Sequence, residues 1–182
     1  MEVHLHAEIP ILEGVSRKRI EEAIAPLLDY LDADSMAEVR SLEQDEPGFR
    51  FDEKDLLLTF CWTGEVGRNF REALEAALAN LGPLCYEAVE VELTLYPENA
   101  PQETRLLYVG PTAQAIHEAR RRCMVEDVTA VLAREFDKER IAEVVALVNR
   151  FFDQDWKNRA AEPTRPERAF ETTTRPSRKH LH

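Results

Sequence analysis

The chain opens with Val3, Leu5, Ala7 and Ile9 alternating with His4, His6 and Glu8. A period of two sends successive side chains to opposite faces of a strand. One face of this segment must therefore be buried, and the other must be polar or partnered. That limits the fold: something apolar has to be laid on one side of the strand only. Pro10 and Gly14 end the segment.

The following segments supply the covering layer. Ser16 is a plausible N-cap for a helix to about Leu31, with Ile20, Ile24, Leu27, Leu28 and Leu31 on one side. Pro26 predicts either a kink or a second short helix starting there, because an interior proline removes one backbone bond. Residues 36–43 read as a weak strand, and Asp45-Glu46-Pro47-Gly48 as a turn. A strand is predicted over 55–62. The stripe Phe70, Leu74, Ala77, Leu78 and Leu81 predicts a second helix, stopped by Gly82-Pro83. Val89, Val91, Leu93 and Leu95 alternate with Glu90, Glu92, Thr94 and Tyr96 as a further strand, and Leu106–Val109 makes a short fifth one.

The order up to Tyr96 is βαββαβ. It predicts an α+β, ferredoxin-like sandwich over residues 1–110: an antiparallel four-stranded sheet with two helices on one face. Residues 111–156 change to helical period and predict an αα-hairpin. Its apolar positions include Ile116, Cys123, Val128, Val131, Leu132, Ile141, Val144, Val145, Val148, Phe151 and Phe152. That hairpin has to pack on the sheet, on an edge or on a partner. Residues 157–182 turn to Pro, Thr, Arg and Glu and read as a flexible basic tail.

Charge narrows the function classes. The chain carries −12. From Lys157 onward seven Lys/Arg face three Glu, a tail of +4 on a body of −16. An acidic body is unsuited to direct nucleic-acid binding, which needs a basic surface. No apolar run approaches the roughly 20 residues that span a bilayer. Cys61, Cys85 and Cys123 are too widely spaced for a disulfide framework or a CxxC site, and with the absence of a leader pattern they suggest a cytoplasmic protein. There is no phosphate loop and no nucleophile elbow.

Parity places His4, His6 and Glu8 on the sheet face away from the helices, beside Glu90, Glu92, Thr94 and Tyr96 from one neighbour and Thr59 and Cys61 from the other. Imidazole and carboxylate together suit a divalent metal, so His4, His6, Glu8, Glu90 and Glu92 are the candidate ligands. Against this, a polar face is what any solvated sheet needs, and HxH lacks the fixed register of HExxH. No other cofactor is implied. Arg120-Arg121-Arg122 reads as a helix charge run paired with neighbouring acids.

The leading expectation is a non-catalytic interaction or assembly module. It would bind a protein partner or its own copy through the open sheet face and the hairpin, with Tyr96, Phe151, Phe152 and Phe170 as contact residues. Two alternatives stand beside it: a metal enzyme using the His/Glu cluster, and an acidic mimic of nucleic acid.

Overall fold

The computed structural model describes residues 1–161 and 172–175. The strands are β1 (Glu2–Pro10), β2 (Gly48–Asp52), β3 (Leu57–Glu65), β4 (Val89–Tyr96), β5 (Glu103–Val109) and a short β6 (Thr172–Arg175). The helices are α1 (Arg17–Tyr30), α2 (Phe70–Leu81), α3 (Ala113–Leu132) and α4 (Lys138–Ala161). The fold is α+β. Five strands form an antiparallel sheet in the order β2-β3-β1-β4-β5, and β6 extends it on the β5 edge.

β1 lies in the centre, paired with β3 and β4. Val3, Leu5, Ala7 and Ile9 are all buried. They join Ile20, Ile24 and Leu27 of α1 and Leu74, Leu78 and Leu81 of α2 in one core, so both helices cover the same sheet face. Burying each such side chain contributes about 1.5–3 kcal/mol, enough to decide which face of the strand turns inward.

The first helix is a single element, with Ser16 accepting from the Arg19 N–H at its start. Pro26 sits inside it without ending it. Packing of Ile24, Leu27 and Leu28 on either side of the proline opposes the lost bond. The Asn80 amide of α2 also donates to the Ala23 carbonyl beside it, at 3.2 Å. The helix ends through Asp32 at φ 54°, a left-handed position that Asp tolerates.

Two loops depart from the pattern reading. The weak strand at 36–43 is instead a 3₁₀ turn, Met36–Glu38. Its buried residues are Met36 and Val39, three apart, which is a helical spacing rather than an alternating one. Beyond it, Arg40 and Ser41 bond to the end of β3: the Trp62 indole N–H donates to the Arg40 carbonyl at 2.8 Å, and the Thr63 N–H to the Ser41 hydroxyl at 2.9 Å. Phe49-Arg50-Phe51 lies in the edge strand β2, with Phe49 opposite Phe60 and their ring centroids 4.6 Å apart.

The hairpin begins with Thr112, whose hydroxyl accepts from the Ala115 N–H. α3 runs unbroken to Leu132. Its first half packs on the other sheet face, where Ile116 and Ala119 meet Ala88, Leu106 and Tyr108 in a second, smaller cluster. Leu107 and Val109, of opposite parity on the same strand, belong to the main core. α4 lies on α3. Thr172–Arg175 falls within the segment read as tail and pairs with β5; Phe170 lies outside the described residues.

Gly48 shows how tightly the β2 edge is set. Its φ is +73°, and a Cβ there would stand 2.6 Å from the Val39 carbonyl oxygen. Gly14 has φ +82° with nothing within 4 Å. Gly14→Ala should therefore cost only the left-handed backbone term, about 1–2 kcal/mol. Gly48→Ala should add the displacement of Val39 and cost at least about 1 kcal/mol more. Urea unfolding of both variants checks the order, and equal losses would contradict it.

Candidate functional site

The face of the sheet away from α1 and α2 is where the sequence gathers chemistry. The ladder registers arrange it in rows across β3, β1, β4 and β5. Cys61, His6, Glu92 and Leu106 form one row, and Thr63, His4, Thr94 and Thr104 the next. Glu2 stands opposite Tyr96, and Glu8 opposite Thr59. Neighbouring strands are about 4.8 Å apart, so side chains within a row can touch.

His4 is held in a polar network. Its Nδ1 lies 3.0 Å from the Thr63 hydroxyl and 3.0 Å from Glu46 Oε1. The Thr63 hydroxyl donates to Glu46 Oε1 at 3.0 Å, and the Ser41 hydroxyl donates to Glu46 Oε2. With the threonine proton committed to the carboxylate, Nδ1 acts as the imidazole's donor. The chain before β2 thus folds over the β3 side of the face, and its carboxylate ties β1, β3 and the loop together. His6 lies parallel to His4, with centroids 6.3 Å apart and an interplanar angle of 7°. It is exposed, with Glu92 beside it in register.

The other end of the face is covered by α3. Glu90 is exposed and opposite Tyr108, within reach of Cys123 on α3. Burial, with the Glu90 carboxylate second, raises the Cys123 thiol pKa. The five proposed ligands are therefore divided. His4 faces Glu46, His6 and Glu92 share a row, Glu90 lies by α3, and Glu8 is exposed beside Thr59. Among the described residues, no group of three or more His, Cys, Asp or Glu is placed to hold a metal ion.

Between loop and helix an acidic strip stays open. Tyr96 is 39 % exposed, and its phenol pKa is raised by partial burial and then by Glu2, Glu92 and Glu46. The Cys61 thiol is raised by burial, followed by Glu46 and Asp45. Four carboxylates converging on a phenol and a thiol make this strip repel anions and disfavour a thiolate.

The hairpin presents a second surface. Phe152 and Trp156 of α4 pack on the buried His117 ring of α3, with centroids 5.3 and 4.9 Å away. His117 Nδ1 is buried without a hydrogen-bond partner. Arg121 bonds to Glu118 on its own helix and to Asp153 on α4, the latter at 3.3 Å. Several apolar side chains of the hairpin stay open to solvent: Phe151 is 57 %, Val131 54 %, Met124 40 %, Val144 38 % and Leu147 37 % exposed, with Val131 and Val144 meeting at the seam between the helices. Of the proposed contact residues, Phe151 faces outward while Phe152 faces α3.

A family model described as a family of unknown function, DUF6806, matches residues 1–153. The chain belongs to that family. The DUF6806 match runs from β1 through most of α4, so the sheet and the hairpin lie within one family unit. No curated protein and no solved structure matches the chain.

Glu46, Ser41 and Thr63 were not among the residues singled out from sequence. Thr63 could have been reached by extending the strand's parity beside His4. Ser41 and Glu46 carry no such signal, since the pattern puts the first in a weak strand and the second in a turn.

Two outcomes follow from this geometry. Ser41→Ala leaves the Thr63 N–H without its acceptor and should cost about 1–3 kcal/mol in chemical denaturation. A loss near zero would show that another group replaces the hydroxyl. The Cys85 thiol is pushed up to about 12 by burial. In single-cysteine variants at pH 8, Cys85 should stay unreactive toward a thiol reagent until unfolding, and Cys61 should react more slowly than a free model thiol. Reaction of Cys61 at the model rate would contradict its placement among carboxylates.

Proposed function

We propose that this protein is a non-catalytic assembly module that pairs with a second copy of itself through the α3–α4 hairpin, carried on a ferredoxin-like sheet. The fold reading is supported by the order β1-α1-β2-β3-α2-β4, the strand sequence β2-β3-β1-β4, and the shared face of α1 and α2.

The observation that carries the assembly reading is α4. It is 24 residues long, yet none of its described side chains is buried. One side rests on α3; Leu147 and Phe151 stay exposed, and Val144, partly exposed, borders Val128 and Val131 of α3. A helix normally gains its stability from burying an apolar face. Met124 and Val131 widen the exposed apolar surface from α3.

Charge favours a second copy as the occupant. Residues 1–112 hold nine Lys/Arg against 23 Asp/Glu, a net −14. Residues 113–161 hold nine of each, a net zero. Two bodies of −14 repel, so self-association has to use the one region without net charge and keep the bodies apart. Two hairpins meeting about a two-fold axis satisfy both conditions, and each apolar residue then faces its own kind.

Light scattering after size exclusion should give a dimer at micromolar concentration. Phe151→Asp and Leu147→Asp should each weaken pairing at least tenfold while leaving the far-ultraviolet circular dichroism unchanged. A wild-type monomer across the micromolar range, at low and physiological salt alike, would overturn the reading.

A further inference from the structure

A groove of about 310 Å³ opens on the helix-covered side of the sheet, between the start of α2 and strands β4 and β5. Its floor is apolar: Leu74, Leu93, Leu95 and Leu107, with Phe70 at one side. Its rim carries Arg68, Arg71 and Arg105. Those three are the only Lys or Arg residues between Lys54 and Arg120. All three therefore converge on one groove of a body with net charge −14.

Two of the arginines already show the geometry that takes an oxyanion. Arg105 holds the Glu103 carboxylate through Nε at 2.9 Å and a terminal nitrogen at 3.3 Å. The guanidinium keeps that carboxyl below its usual range. Arg71 donates through Nε to Glu75 at 2.6 Å. Arg68 is exposed and makes no ion pair among the described residues. The lining holds three guanidinium groups and the single carboxylate of Glu103; Arg71 is paired outside it with Glu75, so Arg68 is the one of the three without a carboxylate partner among the described residues. Guanidinium forks match carboxylates and phosphate monoesters, and leucine side chains match an alkyl or aryl tail. Ligand pockets run from about 300 to 1,000 Å³, so this groove is at the small end.

We propose that the groove binds a small amphipathic anion, with a single carboxylate or phosphate head at Arg68 and Arg105 and an apolar tail on the leucine floor. It lies on the opposite side of the sheet from α3 and does not depend on assembly through the hairpin. The acidic strip on the far face supplies a contrast: anions are repelled there and attracted here.

Isothermal titration of the full chain with decanoate and with decyl phosphate, each below its micelle threshold, tests this. Decanol and decyltrimethylammonium serve as neutral and cationic controls. One or both anions should bind one per chain, at least tenfold tighter than either control. The tighter of the two identifies the head. Arg68→Gln, an exposed change, should weaken that binding several-fold without altering sedimentation or circular dichroism. Arg105→Gln should do so more strongly. Leu95→Glu should abolish binding, and its fold is checked by circular dichroism. If neither anion binds, if decanol binds equally well, or if Arg68→Gln and Arg105→Gln both leave affinity unchanged, the proposal is overturned.

Discussion

The central strand β1 is the constraint on which the rest depends. It is paired on both sides, so neither edge offers freedom, and its odd-numbered side chains are fully enclosed beneath α1 and α2. A slip of one residue would put two imidazoles and a carboxylate into a leucine-rich interior, each at several kcal/mol. That penalty sets the register of β3 and β4, and register in turn decides which polar groups meet. His4 finds Thr63, and through it Glu46, because β1 and β3 cannot pair otherwise.

The two sheet faces are finished by different means. Beneath the helices the finish is apolar and continuous, with Phe49, Phe60, Trp62 and Phe70 packed in series. On the other face a loop covers one side and a helix the other, and each is anchored by few groups. Glu46 fastens the loop by hydrogen bonds; Ile116 and Ala119 fasten the helix by contact. The middle is left to water and to carboxylates.

How much of this could be read from residues alone varies with the kind of signal. Strand and helix positions with a repeated period were legible: the β1 parity, the α2 stripe ending at Gly82 and the change to helical period after Gly110. At Pro26 the pattern allows a kink or a new helix start, because it cannot weigh one lost backbone bond against the packing of Ile24 and Leu27. Segment 36–43 was not legible because it is too short to show a period: its two buried residues, Met36 and Val39, are three apart, a single helical spacing. The candidate site was legible by face and illegible by partner. Parity gave His4, His6, Glu90 and Glu92 a common side, but Glu46 reaches His4 from a loop 42 positions away in sequence. The Glu90 neighbour Cys123 required knowing where the hairpin lands.

The apolar contacts fall into two unequal clusters separated by the thickness of the sheet. Strands β4 and β5 are all that the two have in common, through Val91 and Leu107 on one side and Leu106 and Tyr108 on the other. Loosening α4 therefore removes almost nothing from the interior under α1 and α2. Amide hydrogens of the hairpin should therefore exchange through their own sub-global opening, and those of β1 only when the entire molecule unfolds.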